Sequence, residues 1–306
     1  MSIVHRFRDE AMATVFEVRV GHADALLARH AADAAFAAAH LVEGLLSRFL
    51  ETSEVARLGR MRAGEALRMH PLTAECLAVA LECAELTGGA FDPAPGRMRA
   101  AGAEERATLA LDAAGLVVFC DGPAGSRPAG LDLGAIGKGF ALDVMARELR
   151  EWDVEAALLR AGGGSSILAM GAPQSEPDGW RISLSCKQFV LLQGAAISTS
   201  GKAVKGDHIL DPRTGRPAAG SPARAWALAE SAAVSDALST AWMLLDISEI
   251  EEVCERRPGI AAALEWDDSP GSEAPLQVVC GRGGGSGDIG AAFRVGTLKG
   301  ECDETL

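Results

Sequence analysis

Four short apolar runs follow one another within residues 156–192: Ala156-Ala157-Leu158-Leu159, Ile167-Leu168-Ala169-Met170, Trp180-Arg181-Ile182-Ser183-Leu184-Ser185 and Phe189-Val190-Leu191-Leu192. Each has the length of a strand, and glycine-rich joints separate them. They read as successive strands with no helical period between them. Working outward, helical and strand patterns alternate irregularly, which favours an α+β fold with a largely antiparallel sheet over regular βαβ winding.

Upstream, Leu131 to Gly139 is a glycine-punctuated turn feeding a helix from about Phe140 to Trp152, and Gly115 to Cys120 is a short strand. Pro71 to Leu86 reads as a helix stopped by Thr87-Gly88-Gly89, followed by the breaker Ala90-Phe91-Asp92-Pro93. Ala23 to Phe49 is an alanine-rich helical stretch, and residues 47–54 supply caps for a short second helix through Leu58. Val15 to Val20 alternates as a half-buried strand does. Downstream come a strand at Arg224 to Ala229, a helix from about Ala233 to Leu245, a short helix near Glu249 and a strand at Ile260 to Trp266. From Asp267 the chain turns rich in Gly, Pro and Ser and ends acidic. The expected organisation is one domain over 1–266 and a poorly ordered tail over 267–306.

The 306 residues are 48% apolar and 23% charged, enough for a sizeable core. A net charge of −13, with 29 basic against 42 acidic residues, excludes a general nucleic-acid binder. No run approaches the roughly 18–20 apolar residues of a membrane span, and MSIVHRFRDEAMATVF alternates charge with apolar residues instead of building a signal core, so a cytoplasmic location is expected. The seven cysteines contain no C-x-x-C and indicate neither a disulfide framework nor a zinc knuckle. Five of the basic residues are lysines, the first of them Lys138, which marks that position as one wanting a point-like ammonium.

Three constellations carry chemistry. On a helix Asp236, Ser239 and Thr240 share one face at i, i+3 and i+4, a sparse, hard oxygen set of the kind magnesium accepts when phosphates and water complete its shell. A capped helix start with a solvated polar face is the plain alternative. Asp132-Leu133-Gly134-Ala135-Ile136-Gly137-Lys138-Gly139 places glycines and backbone N–H groups ahead of a helix, without the spacing of a Walker A loop, and reads equally as a structural turn. Two x-Asp-Pro turns, at Asp92-Pro93 and Asp211-Pro212, hold their carboxylates on extended backbone, and His208 beside the second is a candidate base near neutral pH. There is no G-x-S-x-G, and Gly162-Gly163-Gly164-Ser165-Ser166 lacks the order of a dinucleotide fingerprint.

The order of these segments from about residue 8 to 266 resembles the ApbE family of FAD:protein FMN transferases. Met12-Ala13-Thr14-Val15-Phe16 is similar to that family's Met-Gly-Thr-x-Phe strand, and 47–58 to its serine-aromatic-serine-glutamate segment. Residues 87–93 resemble its Gly-Ala-Phe-Asp-Pro turn, and Asp132 to Asp143 its Asp-Leu-x-x-x-x-Lys-Gly-x-x-x-Asp element. Residues 197–201, 208–215 and 236–240 complete the set. Ala13 replaces a glycine, Gly59 stands where an asparagine often follows, Ala94 replaces a threonine, and Gly164-Ser165-Ser166 replaces a Gly-Gly-Asp element.

The resemblance implies a tandem T-fold arrangement. It implies an FAD site lined by Met12, Phe49, Ala90, Phe91, Asp92, Asp132, Lys138 and one of Ile209 or Leu210. It further implies Mg²⁺ held by the Ala135 carbonyl and the side chains of Asp236, Ser239 and Thr240. The expected activity is Mg²⁺-dependent transfer of FMN from FAD to a threonine or serine hydroxyl of an acceptor protein, releasing AMP. In that reading His208 acts as base, Asp236 holds the metal, Lys138 steadies phosphate or flavin charge, and the helix start near Ala233 turns a positive dipole end towards the site. The other readings are a non-catalytic FAD-binding protein and an FAD pyrophosphatase in which water replaces the acceptor.

Overall fold

The computed structural model describes residues 3–94, 106–184, 188–202, 210–217, 220–266, 276–280 and 293–297. The strands are β1 (Ile3–Ala11), β2 (Thr14–His22), β3 (Ala66–Arg68), β4 (Thr108–Asp112), β5 (Val117–Asp121), β6 (Ala157–Ala161), β7 (Ser166–Ala169), β8 (Trp180–Ser183), β9 (Gln188–Leu192), β10 (Ala195–Gly201), β11 (Leu210–Asp211), β12 (Arg216–Pro217), β13 (Arg224–Ala229), β14 (Ala261–Glu265), β15 (Gln277–Cys280) and β16 (Phe293–Thr297). The helices are α1 (Ala25–Leu46), α2 (Glu54–Leu58), α3 (Pro71–Leu86), α4 (Gly137–Glu151), α5 (Ala232–Ala241) and α6 (Ile247–Arg256).

Eight strands form the main sheet in the order β1-β2-β6-β7-β10-β13-β14-β15. Every neighbouring pair in it is antiparallel, as the irregular element order required. Helices α1, α4 and α5 pack on one face; the sheet β16-β9-β8 covers the other over part of its width. Strand β6 shows why its run is continuously apolar, where β8 alternates. Its Leu159 and Ala161 enter the cluster with the helices, while Leu158 joins Trp180, Val190 and Leu192 of the second layer, so both faces are buried.

Local chemistry sets the helix ends. Asp24 caps α1 by accepting from the N–H groups of Leu26 and Leu27, and Ala28, Ala31, Ala32, Ala35 and Ala39 form a buried stripe slim enough for close packing on the sheet and α4. Two expected helices are reset. Helix α4 begins at Gly137, before Phe140, because the glycine turn itself winds into the first helical turn. Helix α5 ends at Ala241, short of Leu245. The hairpin partner β1 was masked in the sequence by charged residues alternating on an exposed edge. Past Asp267 the described residues hold two strands the sequence reading did not give: β15 pairs with β14, and β16 pairs with β9. Their apolar residues, Val278-Val279 and Phe293-x-Val295, are diluted in a Gly/Ser-rich background that composition alone averages away.

Candidate functional site

Helices α4 and α5 cap each other. At α4 the residue in the capping position is Ile136, which has no side-chain acceptor. The Gly139 N–H is instead taken by Oδ2 of Asp236, from α5, at 3.1 Å. At α5, Ser231 accepts from Val234 N–H, and Asp143 of α4 accepts from Ser231 Oγ (2.7 Å), Ala232 N–H (2.9 Å) and Ala233 N–H (2.9 Å). Burial pushes the Asp143 carboxyl up, working against these hydrogen bonds. The two helix starts approach so closely that a Cβ at Gly139 would lie 2.0 Å from the Ala232 carbonyl oxygen. Only glycine fits.

The same junction collects the charge. Lys138 Nζ lies 3.3 and 3.2 Å from the two carboxylate oxygens of Asp236, and Ser166 Oγ of β7 donates to Oδ1 at 3.0 Å. Asp236 is 5% exposed at its side chain and Lys138 24%, so the lysine is the solvent-facing member of the pair. One turn further along α5, Ser239 Oγ donates to the Asp236 carbonyl and meets Ser200 Oγ at 3.0 Å, while Thr240 Oγ1 is 3.3 Å from the same Ser200 oxygen. Ser198 stands directly across the sheet from Ser166 and two residues before Ser200. Its buried Oγ has no hydrogen-bond partner among the described residues. The sequence reading matched 197–201 to the family pattern but gave Ser198 and Ser200 no role; on a strand these two, two residues apart, share one face.

Asp236, Ser239 and Thr240 therefore do lie on one helix. A carboxylate and a row of hydroxyls containing an unmatched buried oxygen suits a hard divalent cation. Among the described residues no group of three or more His, Cys, Asp or Glu is placed to hold a metal, so hydroxyl and carbonyl oxygens would have to complete such a site. Ala135 offers one: the turn's backbone hydrogen bonds go to the carbonyls of Leu133 and Ile136.

The helix starts differ in how far they match expectation. In the glycine turn the N–H groups of Gly134, Ile136, Gly137, Gly139 and Phe140 are taken inside the protein, which agrees with the reading of that stretch as a structural turn. The start of α5 is likewise spent on Asp143 and Ser231, leaving no donor there for an anion.

The remaining expected residues form a rim. Met12 and Ala13 turn the β1–β2 hairpin with φ of 53° and 56°, the left-handed backbone that a two-residue hairpin demands. Met12 Cε sits 3.1 Å from where a Cβ on Gly137 would be, so the hairpin tip rests on the start of α4. Asp132 N–H donates to the Pro93 carbonyl, tying the Ala90–Pro93 turn to the lysine loop, and Asp92 Oδ1 accepts from Ala94 N–H. Ala90 and Phe91 are each 2% exposed, so the Phe91 ring is core. Phe49, by contrast, is 79% exposed, with the Arg48 guanidinium 4.5 Å from its ring centre and 3.6 Å from Asp132. Beside Asp92 and Pro93 an apolar cavity of about 110 Å³ opens, walled by Leu77, Leu81, Leu109 and Leu131.

At the second Asp-Pro turn, Arg213 forks onto Asp211 and reaches Glu249 and the Leu244 carbonyl. Burial acts to raise the Asp211 carboxyl, but the Arg213 bonds outweigh it and hold it low. That carboxylate therefore anchors the turn to α6. His208 and Ile209 lie outside the described residues, and Leu210 is described through its backbone pairing with Pro217.

Residues 12–264 match the model of the ApbE family, from the hairpin tip to β14. The chain belongs to the ApbE family. An FAD:protein FMN transferase of Rhodobacter capsulatus is 29% identical over 259 residues, covering 72% of this chain and 48% of that protein. Another, of Salmonella typhimurium, is 29% identical over 157 residues, covering 46% and 44%. The chain thus spans about half the length of the curated relatives it matches. The fold is that of solved ApbE structures. The flavin transferase ApbE of Vibrio cholerae superposes with a TM-score of 0.72 at 19% identity, over 92% of this chain and 98% of that one. The flavinyl transferase ApbE of Pseudomonas stutzeri, in its apo form, gives 0.74 at 22%, over 92% and 96%. No helix among the described residues is long and apolar enough to cross a membrane.

Proposed function

We propose that this ApbE-family chain is an FAD:protein FMN transferase, moving FMN from FAD to a threonine or serine hydroxyl of an acceptor protein and releasing AMP. The observation that carries this reading is the α4–α5 junction, where a partly exposed Lys138 meets buried Asp236 and a row of buried hydroxyls with an unmatched oxygen at Ser198. The names of the aligned relatives support the same reaction.

Asp236, Ser239, Thr240 and the Ala135 carbonyl would hold Mg²⁺. Bound there, Mg²⁺ supplies Lewis-acid neutralisation of pyrophosphate charge. Lys138 balances the buried carboxylate and, being partly exposed, can present its ammonium to a phosphate oxygen. Ser166 and the Gly139 N–H fix the carboxylate's orientation, so little reorganisation remains for the reaction itself. On the rim, the exposed Phe49 ring offers a stacking surface, and the apolar cavity beside Asp92 suits one flat end of FAD. The acceptor oxygen forms a bond to the FMN-side phosphorus as the phosphoanhydride bond to AMP breaks. His208 is assigned to take the hydroxyl proton, which finally leaves with AMP or solvent.

The test is to incubate the purified protein with FAD and a flavin-acceptor domain, with Mg²⁺ or with EDTA, and to follow acceptor mass and nucleotide. The expected result is one AMP per acceptor that gains the mass of FMN less water, abolished by EDTA. Release of FMN and AMP without a mass gain would replace the proposal with a pyrophosphatase. Intact FAD in a protein that binds it would replace it with a non-catalytic binder.

A further inference from the structure

The reverse face of the strands beside the site carries charge that the reaction does not use. In β1 and β2, Phe7, Phe16 and Val18 turn towards the helices, while Arg6, Arg8, Glu17 and Arg19 share the opposite face, Arg6 across from Arg19 and Arg8 across from Glu17. Glu17 also stands across from Arg160 of β6, which adds a fourth guanidinium. The second apolar layer reaches no farther along this face than Leu158, so Arg6 and Arg8 remain 48% and 58% exposed at their side chains.

One carboxylate cannot satisfy this group. Glu17 pairs with Arg6, and with the Nε groups of Arg8 and Arg19 at 2.9 Å each. Arg160 makes no ion pair of this kind among the described residues, and its buried Nε has no hydrogen-bond partner there. Burial, and repulsion from Arg19, Arg6 and Arg8 against the pull of Glu17, lower its affinity for its own proton. Counting the exposed Glu10 at the end of the row, the face stays positive on a chain whose net charge is −13.

Its position matters as much as its sign. Arg160 Nη2 lies 2.6 Å from where a Cβ on Gly164 would be, and a Cβ on Gly162 would lie 3.2 Å from Lys138 Cδ. A single three-glycine turn therefore separates the guanidinium group from the lysine–aspartate pair. We propose that this arginine face docks an acidic segment of the acceptor polypeptide, next to the site where its hydroxyl is modified. The inference rests on the transferase reading. Guanidiniums spread over three adjacent strands, each roughly 4.8 Å from the next, suit several carboxylates along a chain better than one compact phosphate.

Peptide binding tests this independently of catalysis. Fluorescence anisotropy would follow labelled octaglutamate and octaglutamine peptides on the full chain, on Arg6→Gln/Arg8→Gln and on Arg6→Lys/Arg8→Lys. The wild type should bind octaglutamate alone, the glutamine variant about tenfold more weakly, and the lysine variant nearly as well as wild type. FAD binding should be equal in all three, and the glutamine variant should raise KM for an acceptor domain without changing kcat. Equal octaglutamate binding by wild type and the glutamine variant would overturn the proposal, as would equal losses in both variants. Displacement by inorganic phosphate beyond the effect of matched chloride would overturn it in favour of a small-anion site. If the wild type binds octaglutamate yet transfers no flavin, it is the transferase reading that fails.

Discussion

Replacing Gly139 by alanine sets two physical effects of opposite sign against each other. Inside α4, alanine is favoured over glycine by about 1 kcal/mol, so propensity alone predicts a more stable protein. The new Cβ, however, would sit 2.0 Å from the Ala232 carbonyl oxygen, 2.5 Å from its carbon and 2.8 Å from the Ala233 nitrogen, all backbone atoms. Relief requires α4 and α5 to separate by more than an ångström, which strains the Gly139–Asp236 and Asp143–Ala232 hydrogen bonds at once. Overpacking costs about 1–3 kcal/mol and each weakened buried bond about 1 kcal/mol, leaving a net loss of about 3 kcal/mol after the propensity gain. At roughly 0.6 kcal/mol per degree for a chain of this size, Tm should fall by about 5 °C. Differential scanning calorimetry checks the shift, and affinity for FAD should fall with it. A Gly139→Ala protein with an unchanged or higher Tm would refute the close-approach argument.

Other perturbations test separate parts. Asp143→Ala removes the acceptor for three donors at the start of α5 and should cost about 2–3 kcal/mol in urea unfolding; a loss below about 0.5 kcal/mol would show that water replaces the cap. Ala13→Gly relieves a left-handed alanine at φ 56° and should stabilise by about 0.5–1 kcal/mol, read as a Tm rise of about 1–2 °C; a fall would contradict the strain. Burial acts to raise the Glu17 carboxyl, but hydrogen bonds from Arg6, Arg8 and Arg19 outweigh it and bring it from 4.5 down to about 2. A carboxyl whose folded value is depressed stabilises above its unfolded value and loses that contribution as pH falls, here from about 4.5 towards 2. Glu17→Gln should flatten that stretch of the stability–pH curve, and an unaltered slope would remove Glu17 as its source.

The sequence was legible where one residue's chemistry governs its surroundings. The successive strand-length runs of β6 to β9 announced largely antiparallel sheet, and the spacing of Asp236, Ser239 and Thr240 announced a polar helix face. What could not be read was pairing between distant segments. Nothing local says that Asp143 caps a helix starting at Ala232, or that the Gly139 N–H goes to Asp236, because the partners are far apart in the chain. The glycine turn was therefore readable only as either a structural turn or an anion loop, and the partners that take its N–H groups lie partly on α5. Edge strand β1 and the late strands β15 and β16 were hidden for a compositional reason, since charge or glycine diluted their alternation.

The central claim is that the Lys138–Asp236 junction transfers flavin covalently. In-gel flavin fluorescence after denaturing electrophoresis tests it most directly, using an acceptor domain co-expressed with the wild type or with Asp236→Asn. The asparagine keeps an oxygen for the Gly139 N–H while removing the charge that pairs with Lys138. A fluorescent acceptor band with the wild type, lost with a folded Asp236→Asn protein, is the predicted result; equal bands from both proteins would contradict it.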